Sequence, residues 1–200
     1  MFIQLIEGRV SDEAAMRARW DTWMSDLAPG AQGWLGSTGG VSDDGLFVAT
    51  ARFESEEAAR SNSARREQGQ WWAETEKLMD GPASFLNCAD VDTLGAGGSD
   101  DAGFVQIMHA QVADPDRMRT IEREGEEAFR RLRPDFLGGL RAWYGQRGLV
   151  AVDYFKSEKE ARKGEAKEFP DAVKKQFDEW FSLLDGLRFL DLPRPWLQSA

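Results

Sequence analysis

The 200-residue sequence predicts an α+β protein made of two tandem copies of one β-α-β-β-α-β unit. Three observations carry that expectation. The stretches "RFESEEAAR" (Arg52–Arg60) and "YFKSEKEAR" (Tyr154–Arg162) nearly repeat each other at a fixed offset, 155 − 53 = 102 for the phenylalanines. Sliding the chain by that offset gives 15 identities in 59 positions over residues 2–60. Unrelated sequences give roughly 3 or 4. The third observation is that both copies run through the same order of apolar patterns, so the period is an architectural one.

The opening stretches "FIQLIEGRV" and "FVQIMHAQV" are β-rich and partly alternating, and read as strands. Asp114-Pro115 marks a helix start, with Asp as cap and Pro at the first helical position. Met16, Trp20, Trp23, Met24 and Leu27 recur at helical spacing; Met118, Ile121, Phe129 and Leu132 trace the same stripe, interrupted by Gly125. Strand pairs follow in each copy, joined by Asp43-Asp44-Gly45 and by Gly145-Gln146-Arg147-Gly148. Ser55 and Ser157 stand where a second helix needs its N-cap, Glu160 completing a capping box. Val173, Phe177, Trp180, Phe181 and Leu184 give an apolar stripe, and "ASFLNCADV" and "LRFLDL" supply last strands. Expected boundaries are residues 1–91 for the first repeat, a Gly- and Asp-rich linker over 92–103, and 104–200 for the second. Each ferredoxin-like unit has helices on one face of its sheet only. Packing the two sheets together about an internal pseudo-two-fold would give a single-chain barrel that is complete as a monomer, with a higher oligomer left open.

Composition excludes several function classes. Net charge is −10, with 35 acidic against 25 basic side chains, which repels a phosphate backbone, so no nucleic-acid partner is expected. A single cysteine, Cys88, forbids an internal disulfide, and a single histidine, His109, forbids a multi-His site; no metal is expected. The N-terminus has no long apolar run, so neither signal peptide nor membrane span is expected, and a cytoplasmic location is.

Candidate catalytic residues are His109 and Asp153. Histidine is the side-chain type whose unperturbed pKa lies near neutrality, and His109 is matched by Glu7 in the other copy, an acid–base pair if both face one cavity; a hydrogen-bonded strand histidine is the plainer reading. Asp153 interrupts an apolar strand, where burial would raise its pKa and make it a base; a strand-edge ion pair is the alternative. Candidate ligand-binding residues are Gln4 and Gln106, polar at equivalent strand centres, and Trp34 and Trp143 on the second strands. Asn62, Arg65 and Trp71 join them, from a segment with no counterpart in the second copy. There Gly69 predicts a helix break that turns these side chains towards a cavity mouth.

The element order and the two strand-to-helix junctions resemble the dimeric α+β barrel superfamily. Within it the chain is most similar to the antibiotic biosynthesis monooxygenase group. The resemblance covers both halves, and implies that one duplicated chain supplies what two identical chains supply elsewhere. That group includes cofactor-free oxygenases acting on polyketide-like aromatics, haem-degrading enzymes and many proteins of unknown activity. The Asn, Trp and Tyr of such sites align with Ala49, Phe53 and Ala59, and with Ala151, Phe155 and Ala161; none matches. The function expected is therefore binding of a small apolar or aromatic ligand, with cofactor-independent oxidation or rearrangement as its chemistry. The alternative is a non-catalytic structural protein whose interior is filled by its own side chains.

Overall fold

A computed structural model describes all residues, Met1–Ala200. The chain folds as two compact units: Met1–Val91 with Arg194–Ala200, and Asp92–Pro193. The boundaries differ from the expected ones at both ends of the second repeat. Part of the supposed linker is a strand, Asp90–Gly95, and the last seven residues belong to the first unit. No helix is long and apolar enough to cross a membrane.

In the first unit, strands β1 (Phe2–Arg9), β2 (Trp34–Val41), β3 (Leu46–Phe53) and β4 (Ser84–Cys88) pair antiparallel. The C-terminal strand β10 (Trp196–Ser199) completes the sheet, in the order β10-β2-β3-β1-β4. Helices α1 (Glu13–Thr22), α2 (Glu56–Ser63) and α3 (Arg66–Thr75) accompany it. In the second unit the order is β5-β7-β8-β6-β9, from β5 (Asp90–Gly95), β6 (Phe104–Val112), β7 (Phe136–Tyr144), β8 (Gly148–Phe155) and β9 (Leu184–Leu192). Its helices are α4 (Pro115–Leu132), α5 (Glu158–Glu165) and α6 (Asp171–Ser182).

The 102-residue offset holds in three dimensions. Asp12 accepts from the Ala15 N–H at 2.9 Å to cap α1, and Asp114 accepts from the Arg117 N–H at 2.9 Å to cap α4. Ser55 and Ser157 cap α2 and α5 in the same way. Glu160 does not close the full capping box; its carboxylate accepts from the Ser157 hydroxyl, at 3.2 Å. Both second strands carry a bulge at the same place, between Trp34 and Gly36 and between Phe136 and Gly138. Gly45 (φ +80°) and Gly145 (φ +57°) supply the left-handed residue each hairpin turn needs.

Where the copies diverge, the reason is local. The first-copy helix ends in a π-helical turn over Trp23–Leu27, whereas α4 continues as α-helix through Gly125, the residue aligned with Trp23. Gly125 is tolerated because α6 crosses there: a Cβ on it would lie 3.1 Å from Gln176 Oε1. The break expected at Gly69 falls elsewhere. Helix α3 runs through Gly69, and the chain bends at Arg65, whose backbone is extended (φ −65°, ψ 135°).

Cys88 is fully buried on β4, and burial pushes its thiol up to about 11 from an ordinary value of 9.0. The thiolate is disfavoured in the folded state, so this group's contribution is intact below pH 9 and declines as pH rises towards 11. The loss amounts to roughly 3 kcal/mol at most. Cys88→Ala should flatten that part of the pH–stability curve; an unchanged slope above pH 9 in the variant would contradict the assignment.

Candidate functional site

The second unit holds a cavity of about 520 Å3 between its sheet and the helices α4 and α6. The strands supply the floor. Alternation points Gln106 and Met108 of β6, Asp153 and Phe155 of β8, and Phe189 and Asp191 of β9 into the same space. Ile121, Glu122 and Phe129 of α4 and Val173, Phe177, Trp180 and Phe181 of α6 form the roof. Phe136, at the start of β7, packs edge-to-face on Phe129, with ring centroids 5.1 Å apart, and on Phe155 at 5.7 Å. Aromatic rings therefore supply 7 of the 22 lining residues.

Helix α6 explains why the space stays open. Its apolar stripe reads as core in the sequence, yet none of its residues is buried, and Phe181 is 47% exposed. The stripe lines the cavity instead of filling it.

A polar row crosses the floor. Arg141 of β7 is 7% exposed at its side chain and donates from Nη1 to Asp153 Oδ1 and from Nε to Glu122 Oε1, both at 2.7 Å. Trp180 Nε1 donates to the same Glu122 oxygen at 3.3 Å. Burial alone would lower the Arg141 pKa, but the two carboxylates outweigh it and hold the guanidinium above its ordinary value. On the other side, Gln106 Nε2 donates to Asp191 Oδ1 at 2.9 Å, and Asp191 is ion-paired with Arg162. Gln106 sits between Asp153 and Asp191 in register, so the two clusters form one band.

The first unit has the same scaffold with that space filled. Glu122 and Arg141 align with Trp20 and Gly39, and the Trp20 ring lies so close to Gly39 that an added Cβ would come within 2.5 Å of it. Trp20, Trp23 and Leu27 are buried there with Phe2, Phe47, Ala49 and Phe53. Asp153 aligns with Ala51, and Asp191 with Asn87, which accepts from Gln4 Nε2 at 3.0 Å. A separate depression of about 560 Å3 in this unit runs from Arg17 and Met24 to Trp34 and the C-terminal residues.

Of the residues singled out in the sequence, Gln106 and Asp153 meet at the cavity floor. Asp153 is paired with Arg141 there, and not held as an isolated buried acid. His109 falls on the opposite side of β6 from Gln106 and Met108, and Glu7 on the opposite side of β1 from Gln4 and Ile6, so neither reaches this floor. Trp143 packs beside the cavity under Arg119, donating to Asp92 at 2.7 Å. Trp34 packs on Trp23, with centroids 5.3 Å apart, and donates to Ser37. Arg65 donates to the Leu27 carbonyl and to Asn62 Oδ1, and Trp71 donates to the Arg19 carbonyl. Those three side chains tie α3 to the first-copy helix. Glu122, Arg141, Asp191 and the aromatic roof escaped the sequence reading. A charged residue replacing Trp20, and another replacing Gly39, under the repeat offset was the signal available.

The fold and site together define a class: duplicated ferredoxin-like α+β proteins with an aromatic cavity between sheet and helices. Solved structures share that fold. A candidate monooxygenase from Lactobacillus acidophilus matches 99% of this chain and 95% of its own, with a TM-score of 0.76 at 11% identity. One from Fusobacterium nucleatum subsp. nucleatum matches 99% and 94%, with a TM-score of 0.77 at 10% identity. An anthrone oxidase-like protein matches 100% and 93%, with a TM-score of 0.66 at 12% identity. No family model and no curated protein matches the chain.

Proposed function

We propose that the second unit binds a small, flat aromatic molecule between its sheet and helices α4 and α6, and that the first unit is a filled, structural copy. The observation that carries this reading is the unburied apolar face of α6 over an open aromatic cavity, at a place where the sister repeat is packed solid. A close-packed interior has no reason to leave that space unless something else occupies it.

Oxidation by dioxygen is the chemistry we extend this reading to. Its support is Asp153, a carboxylate at the floor, and the names of the fold's neighbours, which include monooxygenases and an anthrone oxidase-like protein. Asp153 would take a proton from an activated C–H of the ligand, leaving a carbanion that passes electrons to dioxygen. Protonation and loss of water from the resulting peroxide yield the ketone. Binding without chemistry is the second reading, and the Arg141 pairing favours it, because an ion-paired carboxylate is a weaker base.

Fluorescence titration with anthracenemethanol tests binding, and oxygen uptake with anthrone tests oxidation. Saturable binding is expected, with anthrone consuming oxygen faster than in buffer and Asp153→Asn slowing it by roughly a hundredfold or more. Binding without uptake leaves the non-catalytic reading. Absence of any saturable binding contradicts both.

A further inference from the structure

We infer that the aromatic ligand of the second-unit cavity carries a positive charge on nitrogen, as an amine or related cation, and that anionic aromatics are rejected. The inference rests on the aromatic-binding reading above and adds the charge of the ligand. Five carboxylates line the space (Glu122, Glu126, Asp153, Glu165 and Asp191) against three guanidiniums (Arg133, Arg141 and Arg162), a balance of 3 − 5 = −2.

The guanidiniums are also committed. Arg141 is held by Glu122 and Asp153, and Arg162 by Asp191, Glu165 and Glu158. Arg133 is held by Asp135 at 2.8 Å, in a pair with both side chains less than a tenth exposed. An incoming anion would have to displace one of these partners.

The acceptors are not exhausted. Glu122 spends only Oε1 on Arg141 and Trp180, and Asp153 spends only Oδ1 on Arg141, so Glu122 Oε2 and Asp153 Oδ2 have no protein donor. Glu122 and Asp153 both line the open space, so a ligand's N–H can reach these oxygens from the cavity. Gln106 donates to Asp191 and accepts from no protein donor at its own Oε1, which adds a third acceptor to the cavity lining. Above them Phe129, Phe177 and Trp180 line the same space, and an aromatic ring attracts a cation, not an anion, to its face. The filled copy lacks these charges: Glu122, Arg141, Asp153 and Asp191 correspond to Trp20, Gly39, Ala51 and Asn87. Charge goes with the open cavity.

Three near-isosteric fluorescent probes separate the possibilities: aminomethylanthracene (cation), anthracenemethanol (neutral) and anthracenecarboxylate (anion), titrated at neutral pH and low ionic strength. The cation is expected to bind at least roughly tenfold tighter than the anion, with the alcohol between them, and added salt should shrink the gap. In Asp191→Asn the ratio of amine to alcohol affinity should fall severalfold. The fold accommodates that amide, since Asn87 occupies the equivalent position in the first repeat. Anthracenecarboxylate binding as tightly as the amine, or an advantage unchanged in Asp191→Asn, overturns the charge inference while the aromatic-binding reading stands. Binding of none of the three overturns both.

Discussion

Arg141→Met is expected to destabilise the protein by about 3–5 kcal/mol, the range for removing one partner of a buried ion network. The reason is the pair it leaves behind. Glu122 and Asp153, 10% and 22% exposed at their side chains, would be left as neighbouring carboxylates with no cation between them. Their repulsion and poor solvation are the cost, more than the loss of the arginine's own packing. Urea unfolding of the variant measures the effect. Adding Glu122→Gln and Asp153→Asn to Arg141→Met should recover a large part of the loss, because the uncompensated charges are then gone. A loss below 1 kcal/mol in the single variant would mean that the network is not held as described.

Trp20→Ala should cost a comparable amount, about 3–5 kcal/mol, for a different reason: it empties the space in which the ring packs against Gly39 and Trp196. The reverse change, Gly39→Ala, overpacks the same contact and should cost about 1–3 kcal/mol. Neither variant should alter aromatic binding in the second unit, measured with anthracenemethanol under native conditions. A Trp20→Ala protein that loses that binding while still folded would place the ligand in the wrong repeat.

Much of the fold was legible because the evidence was local and doubled. Each cap, turn and bulge depends on a few neighbouring residues, and Asp12/Asp114 and Ser55/Ser157 state it twice. Strands β5 and β10 were not legible. "DVDTLG" is an edge strand with little apolar content, and only its partner β7 makes it one. The candidate site was half legible. Gln106 and Asp153 announce themselves as polar residues inside apolar strands. Glu122 and Arg141 lie in helix and strand contexts where a charge looks solvated, and only long-range packing buries them. The stripe of α6 misleads in the other direction, since periodicity identifies an apolar face but not whether side chains or empty space lie opposite it. His109 drew attention by residue type, and strand parity put it on the other side of β6.

The central claim is that the second repeat keeps a ligand cavity where the first is packed solid. Backbone amide NMR of the isotope-labelled protein, titrated with anthracenemethanol, tests it most directly, because the neutral probe does not depend on the ligand's charge. The account predicts shift changes concentrated at Gln106 and Met108, along Ile121–Phe129, at Asp153 and Phe155, and along Val173–Phe181. The aligned positions around Gln4, Trp20–Leu27 and Ala51 should stay unmoved. Changes centred on the first-repeat positions, or spread equally over both repeats, would contradict it.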